Sequence, residues 1–211
     1  MTSAVNAESG FDQTALPGVL RQGTLLGVFQ SACVLAFSVV YRFMEGPLEL
    51  VLAAVVVLAG LVATTAMPGL WTRARTIEGI AGAAGIGLWA AVIFLIIDVA
   101  ALQPLGTYTN RWHEIGGGSN WWYHPVWWMV GSFLPWMGAL IIANTAAKGG
   151  TPSIAGIMLP ALGLTLLTGI LAVVTGFPGA AWGLGTFAVA FLPGLTIAAA
   201  LSAVGVRRRV T

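Results

Sequence analysis

Charge is what this sequence has least of. Only 8% of its 211 residues are charged and 58% are hydrophobic, against roughly a quarter charged in an average soluble domain. A water-soluble fold could not cover itself with so little polar surface. Lysine occurs once, as Lys148 beside Gly149 and Gly150, which disfavours a retinal Schiff base among the apolar segments. Cysteine also occurs once, as Cys33. It has no intrachain disulfide partner, so it says nothing of redox compartment and reads as a small packed hydrophobe. Two histidines, His113 and His124, are too few for a pair of haems each held by two imidazoles. A phosphate-cradling glycine loop ending in lysine, a Cys-x-x-Cys pair and a Gly-x-Ser-x-Gly elbow are all missing. The start of the chain carries Glu8 and Asp12 and lacks the basic opening and small-residue cleavage site of a secretory signal.

What is present is a series of long apolar blocks. They predict an all-α polytopic membrane protein with a bundle of about six transmembrane helices. The blocks run at about Thr24–Tyr41, Pro47–Met67, Glu78–Leu102, Pro125–Asn144, Ser153–Val174 and Ala180–Val204. Each approaches the ~20 residues that cross ~30 Å of hydrocarbon at 1.5 Å per residue. Pro47 and Pro125 stand where a first helical turn tolerates proline, and Pro68, Gly149 and Gly179 punctuate other ends. Pro160 and Pro193 fall inside the last two blocks, where each should kink its helix and free a carbonyl. The expected organisation is a polar cytoplasmic tail at 1–23, the bundle at 24–204 with an outer Trp/His-rich loop at 103–124, and a basic cytoplasmic C-terminus at 205–211.

Six crossings place Arg21, Arg73, Arg75, Lys148, Arg207, Arg208 and Arg209 on one side and only Arg42 and Arg111 on the other. The positive-inside rule then puts both termini in the cytoplasm. A net charge of +2 is explained by this topology, without a nucleic-acid partner. Small residues at steps of four, Gly79, Ala83, Gly87 and Ala91 in the third block and Thr186, Ala190, Gly194 and Ala198 in the sixth, predict close helix packing.

Candidate chemistry gathers at the outer rim. Asp98 is the one ionisable group set well into an apolar block. It shares a helical face with Ala91 and Gly87 and has Arg42 and Arg111 as ion-pair candidates. The stretch 107–128, the loop and the start of the fourth block, holds both histidines and five of the nine tryptophans. Trp112, Trp121, Trp122, Tyr123, Trp127 and Trp128 form either an aromatic belt at the headgroup level or a surface for a ligand or partner. Trp128, Ser132 and Trp136 recur at steps of four, as one packed stripe would. His113, Glu114, His124 and Asp98 supply the donors that suit copper, zinc or iron, although their spacing matches no metal signature. Glu45 and Glu49 sit where a helix dipole favours negative charge.

Three functions fit. The first is a non-catalytic subunit of a larger membrane assembly of redox, photosynthetic or metal-containing type, in a bacterial inner membrane, with other membrane subunits or further copies of itself as partners. Its loop would dock a partner, pigment, quinone or metal centre. The second is a channel or carrier for a small solute, using Asp98, Pro160 and Pro193. The third is a membrane metalloenzyme of oxidase or oxygenase type, using His113, Glu114 and His124.

Overall fold

The computed structural model describes residues 15–108 and 123–206, and only the backbone of residues 123–126. All regular structure among the described residues is helical: α1 (Leu16–Phe43), α2 (Pro47–Trp71), α3 (Ile77–Ile97), a π-helical turn (Asp98–Leu102), α4 (Tyr123–Ala147), α5 (Ile154–Val174) and α6 (Leu184–Ala203). Among the described residues, six helical spans, α3 and its π turn counted as one, are long and apolar enough to cross a membrane.

Several ends differ from the sequence expectation, each for a local reason. Helix α1 starts about two turns before Thr24. Pro17 occupies its first turn, and Gly18 and Gly23 are buried along it while Arg21 stays exposed. That turn belongs to the bundle rather than to a polar tail. Helix α2 runs past Met67 with Pro68 inside it, and the Thr72 hydroxyl donates back to the Pro68 carbonyl at 3.0 Å. Helix α6 begins at Leu184, later than expected, because Gly179 has φ of 80° and Gly183 is extended. The Thr186 hydroxyl then accepts from the Ala181 backbone N–H at 2.9 Å. The third block is not one uniform helix: it widens at Asp98 into the π turn, where the Gln103 N–H reaches the Asp98 carbonyl at 2.9 Å.

Helix α3 is the hub, packed on α1, α4 and α2, while α5 pairs with α6 and that pair joins the rest chiefly through α6 on α4. The small-residue stripes do lie at interfaces: Gly79, Ala83, Gly87 and Ala91 are buried, as are Ala190, Gly194 and Ala198. A Cβ added to Gly87 would lie 2.1 Å from the Gly131 carbonyl oxygen and 2.4 Å from Pro135 Cγ. Pro135 has no N–H to offer that carbonyl four residues back, so the freed oxygen of α4 rests on the bare backbone of α3. Gly27 meets the Ala90 carbonyl in the same way, its added Cβ falling 2.6 Å from the oxygen. Lipid is as apolar as leucine, so such backbone contact and its dispersion energy hold helices together where escape from water does not. The outward faces are apolar, with Leu50, Val51 and Val55 of α2 and Leu166, Leu167 and Leu171 of α5 exposed.

Candidate functional site

Two buried polar sites stand out. The first is at the end of the bundle where α3 gives way to the π turn. Asp98 is 0% exposed. One of its carboxylate oxygens accepts from Gln103 Nε2 at 2.7 Å and the other accepts from the Tyr108 hydroxyl. Both donors lie a few residues further along the chain, so the carboxylate gathers its own downstream segment around itself. A regular α-helix would carry the backbone straight on; the i→i+5 turn bends it over the carboxylate.

Helix α1 grips the same segment from the side. The Ser38 hydroxyl donates to the carbonyl of Thr107, and Arg42 Nη2 donates to the carbonyl of Gly106 at 2.7 Å. Gly106 has φ of 65°, a left-handed conformation that turns the chain here. Thr107 is buried, and its Oγ1 has no hydrogen-bond partner. Opposite charge therefore does not pair Arg42 with Asp98, contrary to the sequence expectation. The guanidinium is exposed and takes an exposed carbonyl, whereas Asp98 is enclosed by the turn and satisfied by nearer neutral donors.

Of the aromatic candidates, Trp127 packs its ring on Phe94 of α3, centroids 4.4 Å apart and planes inclined by 37°. Trp127 and Tyr108 also border the small core of Phe94, Leu95 and Leu102. This ties α4 to α3 beside the Asp98 turn and leaves Trp127 half-buried. Trp128 and Trp136 are 50% and 48% exposed, and Ser132 between them donates to the Trp128 carbonyl at 2.9 Å. Their stripe faces outward instead of packing into the bundle. Glu49, expected on the polar rim, is buried. Arg111, Trp112, His113, Glu114, Trp121 and Trp122 lie outside the described residues, as do the side chains of Tyr123 and His124. Among the described residues no three His, Cys, Asp or Glu side chains converge as metal ligands would.

The second site is deeper, and sequence reasoning missed it by looking only for ionisable groups. Gln30, midway along α1 and 6% exposed, donates from Nε2 to the Thr64 hydroxyl of α2 at 3.0 Å. Its Oε1 is buried with no partner. Gln30 and Thr64 line a partly open cavity of about 260 Å³ between α1, α2 and α4, whose other walls include Phe37, Leu61, Trp127 and Leu134. The available signal was an amide standing alone in the otherwise apolar and small-residue middle of the first block, opposite the Thr64–Thr65 pair in the second.

These features define an all-helical architecture in which, among the described residues, six segments are long and apolar enough to cross a membrane, as in a multi-pass membrane protein. Compared with protein families, curated proteins and solved structures, the chain matches none of them.

Proposed function

We propose that this chain is a non-catalytic, multi-pass subunit of a larger assembly in a bacterial inner membrane, with both termini cytoplasmic and its Trp/His-rich segment docking a partner or cofactor on the other side. The observation that carries this reading is the engagement of Asp98: the carboxylate set into the third span is occupied by Gln103 and Tyr108. A carboxylate held this way braces the chain up to Tyr108, the last described residue before the 109–122 segment. Trp127 on Phe94 braces the chain leaving it. Flanks anchored on the bundle are a suitable base for recognition, since their own ordering cost is met before binding. The exposed Trp128 and Trp136 add aromatic surface of the kind enriched at interfaces.

Purification from native membranes in mild detergent tests the proposal. A stoichiometric subunit, pigment or metal should accompany the wild-type chain and be lost from a Trp121→Ala/Trp122→Ala variant. A monodisperse protein with nothing bound would overturn it. Liposome flux that falls in Asp98→Asn would favour the channel or carrier reading instead, and oxygen-consuming turnover by the purified chain, lost with His113→Ala and His124→Ala, would favour the metalloenzyme.

A further inference from the structure

The end of the bundle remote from the Asp98 turn carries a groove of a different kind. It is an open cavity of about 620 Å³ between the first turns of α1 and the end of α2, and its lining includes Arg21, Gln22, Thr24, Leu25, Val28 and Trp71. Arg21, Thr24, Leu25 and Val28 are all exposed. Polar lining comes first along α1 and apolar lining after it: Leu25 and Val28 stand four and seven residues beyond Arg21, on the same helical face. With 28 residues, α1 is about 42 Å long, more than the ~30 Å of hydrocarbon a span has to cross. When the excess is shared between its ends, the hydrocarbon begins within a turn of Arg21. The guanidinium then stands at head-group level, and Leu25 and Val28 stand against acyl chains.

Two donors at the top of this groove are unspent. Among the described residues no acidic side chain lines the cavity, so nothing there neutralises Arg21. The Thr24 hydroxyl accepts from Trp89 Nε1 at 3.1 Å. The hydroxyls of Thr145, Thr165, Thr168 and Thr175 each donate to the carbonyl four residues back. Thr24 makes no such bond, and its hydrogen has no acceptor among the described residues. An arginine fork and a hydroxyl one turn apart suit the oxygens of a phosphate, and the exposed apolar run below them suits a chain attached to it. A free phosphate would leave Leu25 and Val28 unused, and the ammonium of a zwitterionic head group would find no carboxylate to receive it. We infer that the groove seats an anionic phospholipid, its phosphate held by Arg21 and Thr24 and one acyl chain lying along Leu25 and Val28 beside Trp71.

Native mass spectrometry of the purified full chain tests this, with the chain released from micelles that hold equal amounts of phosphatidylglycerol and phosphatidylcholine of the same acyl chains. The wild type should retain one phosphatidylglycerol about fivefold more than phosphatidylcholine, the worth of one arginine at an anionic head group. In Arg21→Gln, which changes an exposed side chain and should leave the thermal transition unmoved, that preference should fall to about one. Arg75→Gln removes another exposed cation at the same end of the bundle but outside the groove, and should keep it. Glycerol 3-phosphate, a head group without chains, should not displace the lipid. Equal retention of the two lipids by the wild type overturns the inference. So does a preference that survives Arg21→Gln or falls as far in Arg75→Gln, the mark of diffuse attraction, and so does displacement by glycerol 3-phosphate, the mark of a site for free phosphate. The Trp121→Ala/Trp122→Ala variant should retain the lipid as the wild type does, which separates this result from the fate of the docking proposal.

Discussion

The two buried polar sites invite comparison. Asp98 carries the more demanding group and is fully engaged: both oxygens have donors, and those donors belong to the segment the carboxylate organises. Gln30 carries a neutral amide, the cheaper group to bury, and is engaged at only one end. Completeness, rather than charge, separates the two. A fully met network fixes a conformation, while a half-met one leaves a costly unpaired group.

Substitutions should separate the two sites by size of effect. Asp98→Ala should cost the most, about 3 kcal/mol, because it leaves the Gln103 amide and the Tyr108 hydroxyl without their acceptor inside the bundle. Unfolding in mixed micelles would measure it, and an unchanged transition would remove Asp98 from its bracing role. Tyr108→Phe should cost about 2 kcal/mol, the range for one hydrogen bond to a charged acceptor, in the same assay. Ser38→Ala, which releases the Thr107 carbonyl from α1, should cost about 1 kcal/mol. It should also raise hydrogen exchange around Thr107 while leaving α5 and α6 unaffected. Gln30→Leu should change stability least, within about 0.5 kcal/mol, since the lost bond to Thr64 is offset by removing an unmet amide end. A loss as large as that of Asp98→Ala would break the contrast and make Gln30 a structural residue too.

How much was legible varies from residue to residue. The apolar blocks were plain because hydrocarbon demands some twenty apolar residues per crossing, a signal that needs no partner. The buried stripes of α3 and α6 were readable for a related reason: only small side chains let backbones touch. Asp98 was visible as an ionisable group where few occur, yet its partners were not. Charge pointed to Arg42, but the geometry of the π turn chose Gln103 and Tyr108, and a five-residue turn has no clear sequence signature. Trp127 and Trp128 are identical neighbours in the chain, and only the direction of each side chain sends one onto Phe94 and leaves the other exposed.

By itself, then, the sequence determined which segments are long and apolar enough to cross a membrane, six of them among the described residues, and the places where backbones can approach, all of which follow from local composition and period. The tertiary structure decided which stripe meets which, as with Gly87 beneath the carbonyl that Pro135 leaves free. It also decided which buried polar groups find partners. Those outcomes depend on atoms far apart in the chain meeting at hydrogen-bond or van der Waals distance, and a linear order of residues carries no record of distance.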